Sequence, residues 1–372
     1  MTWSRAGFAG AALLAMAGFA LSLEQMTDLA LPPVVLAAAV SAALLAVASY
    51  WPGAAIPSGL SGVTILCTVT LALLGDPTIA GAAGSGFWVM ILGTWLAAAL
   101  VVTRLAALRP RSNALRRITD LAVPLLFGAF VFYLWEVAVR GFGVPSVLMP
   151  APSAMATRFV ASLPVLGEDF VQTFVRGVLS GYAIGCGAGF LVAIVAHRYA
   201  FLGKGLLPVG NFVSALPIVG IAPIMVMWFG FDWPSKTAVV AVITFFPMLV
   251  NTLAGLAAAG AIERDLMRSY GARPAQTLVK LHLPAALPFI FNALKINSTL
   301  ALIGAIVAEF FGTPTLGIGF RISTEVGRMA LDMVWAEIAL SAIAGMAFYG
   351  IVALAERATT FWHPSYRASL GS

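Results

Sequence analysis

Charge is what this sequence has least of. Only 10% of its 372 residues are Asp, Glu, Lys or Arg, against about 25% in a soluble domain. That scarcity, with 61% hydrophobic residues, excludes both an ordinary water-soluble globule and a disordered chain. Two cysteines, Cys67 and Cys186, exclude a disulfide scaffold. Histidine is nearly missing too. His197, His282 and His363 stand in separate segments, so neither a His-activated nucleophile nor a clustered metal site has its parts. No G-x-x-x-x-G-K-[ST] phosphate loop occurs, since Gly203-Lys204-Gly205 lacks the upstream glycine spacing and a following Ser or Thr. What remains is a polytopic membrane protein.

A spanning helix needs about 20 mostly apolar residues. Such runs fall near 6–23, 29–50, 60–74, 87–103, 121–139, 171–196, 206–229, 237–256, 286–308 and 335–355. The expected fold class is therefore an all-α polytopic membrane protein of about ten transmembrane helices. The first run precedes Glu24-Gln25-Met26 rather than a small-residue cleavage site, so it is read as a retained span. An even number of spans puts both termini on one side. Arg5, Arg104, Arg109, Arg111, Arg116, Arg117, Arg198, Lys204, Arg264, Arg268, Arg273, Lys280, Arg357 and Arg367 then share that side, against Arg140, Arg158, Lys236, Arg321 and Arg328 on the other. Glu24, Asp28, Asp76, Glu168, Asp169, Asp232, Glu309, Glu325 and Asp332 also fall on that other side. The positive-inside rule makes the first side cytoplasmic, termini included. It also accounts for the net charge of +6 without nucleic acid.

The basic stretch Arg104–Arg117 marks a boundary between two hydrophobic blocks. Residues 1–115 form a four-span block ending in that linker, 116–360 a six-span domain, and 361–372 a cytoplasmic tail. The front block offers no chemistry. Ser85 lies between glycines, but no histidine precedes it. Membrane packing or subunit contact is its expected role.

One cytoplasmic loop, 262–284, stands apart. Ile262, Leu266 and Tyr270 recur at four-residue spacing and form one stripe of a short helix. Glu263, Arg264 and Arg268 cover its other faces. Gly271 is suited to stopping that helix, and Pro274 to opening the next. An interfacial helix on lipid headgroups is one reading. The narrow stripe and the acids Glu263 and Asp265 favour a helix seated in a partner's groove.

At these residues the chain resembles a known family. Asp265-Leu-Met-x3-Gly271-x9-Leu281-x-Leu283-Pro284 is similar to the EAA loop of bacterial ABC importer permeases, E-A-A-x3-G-x9-I-x-L-P. It departs in Asp265, Leu266, Met267 and Leu281. Leu148-Met-Pro-Ala-Pro-Ser153, Pro217-Ile-Val-Gly-Ile-Ala-Pro223, Trp228-Phe-Gly230, Phe246-Pro247, Asn251-Thr-Leu-Ala-Gly255 and Ala308-Glu309 with Gly317-Ile-Gly319 resemble the nitrate/sulfonate/taurine-type branch. The resemblance covers about residues 120–360. It implies a type I permease core in the last six spans, an inner-membrane location and an importer subunit without enzymatic activity. It further implies a permease homodimer, an ABC ATPase subunit dimer and a periplasmic or lipoprotein solute-binding protein. No cofactor is bound by this chain on that view, because ATP sits on the partner ATPase. Asp265, Leu266, Met267, Tyr270, Gly271, Ala272, Leu283 and Pro284 would form the ATPase-coupling surface.

For the translocation path the candidates are Asn211, Ser214, Pro217, Pro223, Met225, Met227, Asn292, Lys295 and Ser298. Proline-interrupted helices are tolerated beside a cavity. Any one of these polar or soft residues also fits plain helix packing. Gly181-x3-Gly185-x3-Gly189 reads as close helix packing. Of the charges within spans, Glu136 and Glu337 are expected to snorkel or pair, and Lys295 to reach the path. Few buried acids and a four-plus-six layout disfavour the alternative, an ion-coupled secondary transporter. Family members carry nitrate, sulfonates, taurine, thiamine precursors and riboflavin. The lack of a basic cluster along the path favours a neutral or heterocyclic solute over a small anion.

Overall fold

A computed structural model describes residues 2–23, 31–51, 55–76, 79–110, 112–214, 216–312 and 315–361. Glu24, Asp28, Arg111, His363, Arg367 and the rest of the expected tail from 362 lie outside the described residues, as do the side chains of Asn211 and Ser214. The described residues are helical, with no strand among them. In chain order the helices are α1 (Thr2–Leu23), α2 (Leu31–Tyr50), α3 (Ala55–Leu73), α4 (Ser85–Ala106), α5 (Asn113–Gly141) and α6 (Pro152–Ala161). Then come α7 (Leu163–Arg198), α8 (Ala200–Ser214), α9 (Ile218–Phe229), α10 (Trp233–Ala257), α11 (Ala261–Ser269), α12 (Pro274–Glu309), α13 (Ile318–Gly327) and α14 (Leu331–Thr359). Two of them carry π-helical stretches, Val171–Leu179 in α7 and Leu278–His282 in α12.

Helices α3, α4, α5, α7, α10, α12 and α14 are long and apolar enough to cross a membrane, and α1, α2 and α9 hold shorter apolar stretches. The all-helical membrane class is as expected. The run 206–229 is not one span, however. It divides into α8 and α9, and α9 opens at Pro217, whose backbone is extended (φ −67°, ψ 125°). Proline has no N–H to carry a helix through it and pushes the residue before it out of helical conformation. At 12 residues and 1.5 Å per residue, α9 is about 18 Å long, too short to cross alone.

The described chain forms two compact units, Met1–Ala156 and Thr157–Ser372. In the first, α1 lies on α4 and α2 on α3. Glycine permits that closeness, because a Cβ on Gly18 would stand 2.5 Å from the Gly86 carbonyl oxygen. Phe8, Leu45, Leu66, Leu73, Phe87 and Met90 fill the interior. Helix α5 belongs to this unit. Tyr133 and Thr70 share a hydroxyl–hydroxyl bond of 2.6 Å, and Trp88 stacks on Phe142 at 4.1 Å. Glu136 is paired, as expected, with Arg140 Nε at 2.7 Å, and accepts bonds from the Ser153 N–H and hydroxyl.

The second unit is built on α10, which packs against both α7 and α12. The Gly181, Gly185 and Gly189 row is the α7 face of that contact. A Cβ on Gly181 would meet Val240 Cβ at 2.5 Å, and one on Gly189 the Phe245 carbonyl at 2.5 Å. Asn297, fully buried in α12, donates to the Thr244 carbonyl at 2.8 Å and to Cys186 Sγ at 3.2 Å. One side chain thus joins all three helices. Lys295 also ties helices, through a 2.7 Å ion pair with Glu356 of α14.

Candidate functional site

The second unit has functional features at both ends. At one end, α10 leads through a short turn into α11, and α11 through a sharp bend into α12. The bend follows from its sequence. Gly271 takes φ +64°, the left-handed region that glycine enters without a Cβ penalty. Its N–H donates to the Arg268 carbonyl at 2.9 Å and the Ala272 N–H to Met267 at 3.0 Å. That pair of bonds is a Schellman stop. Gln276 then accepts the Arg273 N–H at 2.8 Å, and Pro274 occupies the first turn of α12. The expected helix–bend–helix is present.

Ile262, Leu266 and Tyr270 lie on the outside of this bend, 83%, 55% and 80% exposed. Asp265 is also exposed and reaches Arg268 at 3.3 Å, an open ion pair worth at most about 1 kcal/mol. Met267 and Ala272 are half-buried. Leu283 and Pro284 lie further along α12, half-buried beneath the bend. His282 Nδ1 is 2.7 Å from the Leu256 carbonyl, and the His197 ring stands 4.6 Å from that of His282. The root of the bend is therefore held, while its crest presents apolar side chains outward.

At the opposite end sits a buried polar clasp. Helix α13 begins at Gly317, and its first amides have no partner within the helix. Each is taken by a side chain from elsewhere. Asp169 accepts the Gly317 N–H at 2.6 Å, Thr173 the Ile318 N–H at 2.8 Å, and Glu309 the Gly319 N–H at 2.7 Å. The Thr173 hydroxyl donates to Glu309, and Arg321 Nε binds Asp169 at 2.7 Å. Lys236 is almost fully buried nearby and donates to the Phe231 carbonyl at 2.6 Å. Gln172 reaches Asp232, whose carboxylate caps α10.

This end corrects the sequence-based picture. Asp169, Glu309 and Glu325 are buried rather than standing in open loops. Glu337 does not snorkel: it is fully buried, beside the Asp169 carboxylate and within reach of the Arg321 charge. Asp169, Arg321 and Glu309 all act on it electrostatically. Two adjacent buried acids avoid a second charge by sharing one proton, with Glu337 as donor and Asp169, which already accepts from Gly317 and Arg321, as acceptor. Glu337→Gln offers a neutral N–H donor in the same shape. It should therefore leave the stability of the solubilised protein within about 1 kcal/mol of wild type near neutral pH, read as a nearly unchanged thermal midpoint. A clearly higher midpoint would mean that both carboxylates are ionised in the wild type.

The path candidates separate by exposure. Asn292 is exposed and donates to Asn251 at 3.4 Å. It begins a face of α12 that continues through exposed Ile296, Thr299 and Ile303. Met227, 83% exposed, and Pro217 are also open, whereas Pro223 and Met225 are half-buried. Ser298 is fully buried with its hydroxyl on the Lys295 carbonyl of its own helix, and the Lys295 ammonium is held by Glu356.

Comparison with known proteins agrees with this architecture. Residues 185–365 match the family described as binding-protein-dependent transport system inner membrane component. The riboflavin transport system permease protein of Chloroflexus aurantiacus is 29% identical over 273 residues, covering 72% of this chain and 98% of that protein. A putative aliphatic sulfonates transport permease of Bacillus subtilis is 30% identical over 245 residues, 65% of this chain and 88% of its own length. The formylaminopyrimidine transport permease of Halalkalibacterium halodurans is 28% identical over 243 residues, 64% and 95%. The chain belongs to this family: it is a non-enzymatic, multi-pass inner-membrane permease of a binding-protein-dependent ABC transporter, a system that includes an ATPase and a solute-binding protein.

Proposed function

We propose that this chain forms the translocation pathway of an ATP-driven importer, and that α11 with its bend is the part gripped by the separate ATPase. One observation carries the reading. Ile262, Leu266 and Tyr270 stand exposed on a rigidly stopped helix whose root is buried. Asp265, Met267, Gly271 and Ala272 complete the coupling surface, with Leu283 and Pro284 supporting it from α12. ATP is bound and hydrolysed on the partner. The α11 end is cytoplasmic in this reading, as are both termini. Two copies of the chain enclose the pathway, and a periplasmic or lipoprotein receptor delivers the solute to the clasp end. Residues 1–115 are an accessory block to the permease domain of 116–360.

The pathway runs along the open faces of α12 and α9, taking Asn292, Met227 and Pro217, while Lys295 and Ser298 serve helix contacts. Asn211 and Ser214 sit on α8, which leads into that region. Amide, hydroxyl and aliphatic groups line the α12 face between Asn292 and Ile303. Such a face suits a neutral or heterocyclic solute, in keeping with relatives named for riboflavin and formylaminopyrimidine.

The test is co-purification. The wild-type chain should bring down its ATPase, and Leu266→Asp with Tyr270→Ala should cut the recovered ATPase by about ten-fold at equal permease yield, in line with loss of central interface anchors. Full retention by the double variant would overturn the docking assignment.

A further inference from the structure

We infer that the far-end clasp of Asp169, Thr173 and Glu309 is a latch linking the driven movement of α12 to the outer lip of the pathway, with Glu309 as its positioning residue. The inference rests on the permease reading and adds a role at the end opposite the ATPase. Its basis is the way α13 is capped. An ordinary helix satisfies its first amides with its own capping side chain or with water. Here the Gly317, Ile318 and Gly319 amides depend on Asp169 and Thr173 of α7 and on Glu309 of α12. If α7 and α12 separate at this end, α13 loses caps that nothing local replaces.

The fit leaves little slack. Gly317 has φ +127°, and a Cβ there would stand 2.6 Å from Glu309 Oε1. On Gly319 a Cβ would fall 2.9 Å from Glu309 Cβ and closer still to the Ile306 carbonyl. Glycine at both places lets the backbone lie directly on the carboxylate. The π-helical stretch of α7 carries Thr173 and Gln172 to this end together, and such stretches recur at functional sites.

The second element is α12 itself. It is one continuous helix from Pro274 at the bend to Glu309 in the clasp, 36 residues that include the π-helical stretch and Pro288 near the bend, or about 54 Å. Pivoting at one end, a rod of that length moves the other by about 1 Å per degree of tilt. Bonds of 2.6–2.8 Å weaken beyond about 3.2 Å. A relative tilt of several degrees, several ångströms at the clasp, therefore either drags α7 and α13 along with α12 or opens the clasp. Those are two discrete arrangements, as a switch requires.

The experiment uses the complete transporter in proteoliposomes, with receptor and ATPase, and measures solute imported per ATP hydrolysed. Glu309→Gln and Thr173→Val should each lower that ratio by about ten-fold while complex yield and hydrolysis stay within about two-fold of wild type. Thr173→Ser, which keeps the hydroxyl, should restore it. An unchanged ratio in both variants overturns the latch. So does loss of assembled complex in Thr173→Val, because the clasp would then be structural only. Failure of the permease reading would look different, since the wild-type complex would itself show no ATP-dependent import.

Discussion

Replacing Gly271 with valine should lower solute import by about ten-fold while Gly271→Asn stays close to wild type. The site itself dictates the contrast. A Cβ on Gly271 would meet nothing within 4 Å, so added volume alone is harmless. The conformation is the obstacle. At φ +64° an ordinary L-residue pays roughly 1–2 kcal/mol, a β-branched one more, whereas asparagine visits the region routinely. Valine relieves the strain by leaving the left-handed region, which breaks the bonds from Gly271 to Arg268 and from Ala272 to Met267. Helix α11 then loses its fixed angle to α12, and a closing ATPase pushes on a loose joint. Hydrolysis continues while import falls, which vesicles measuring both quantities would register. Normal import in Gly271→Val would remove the bend from the coupling route. Equal damage from asparagine would point to the docking surface rather than the backbone.

This bend was legible in the sequence because every part of it is local. The four-residue spacing of Ile262, Leu266 and Tyr270, the stop at Gly271 and the start at Pro274 all fall within thirteen residues. Most spans were legible for the same reason, since a hydrophobic run is a property of neighbours. The break inside 206–229 was only half legible: Pro208, Pro217 and Pro223 mark the run as interrupted, but its hydropathy carries straight through them. The clasp was hidden for a different reason. Thr173 and Glu309 are 136 residues apart, and Asp169 and Gly317 148 apart. A charge next to the end of an apolar run is assigned to water by default, and only the packing of α7 against α10 and α12 takes Asp169 and Glu309 out of it. The Ala308-Glu309 and Gly317-Ile-Gly319 pattern was the available signal, but sequence alone could not say what the glycines lie against. Lys295 shows the limit from the other side. Its position on α12 was visible, while its partner Glu356 came from a helix 61 positions further on.

The largest loss of stability should come from Gly185→Leu, which should reduce the recovery of monodisperse, detergent-extracted protein to about a tenth or less. On Gly185 even a Cβ would stand 2.9 Å from Ala241 Cα, and closer still to the Ala241 carbonyl and the Thr244 hydroxyl. These obstacles are largely backbone, so no rotamer change clears them, and α7 must move off α10. In water a displaced helix could still bury apolar area elsewhere. Within lipid that compensation is missing, because acyl chains solvate an apolar face as well as a partner helix does, and association rests on close van der Waals packing. Displacement would also separate Cys186 and Thr244 from Asn297, whose amide bridges both. Gly185→Ala should show the same effect in milder form, as a destabilisation of about 1–3 kcal/mol. Gly187 supplies the control two residues along the same helix. A Cβ there meets nothing within 4 Å, so Gly187→Leu should leave recovery and thermal midpoint unchanged. If both leucine variants behave alike, helix propensity rather than close approach governs α7, and the glycine row loses its packing role.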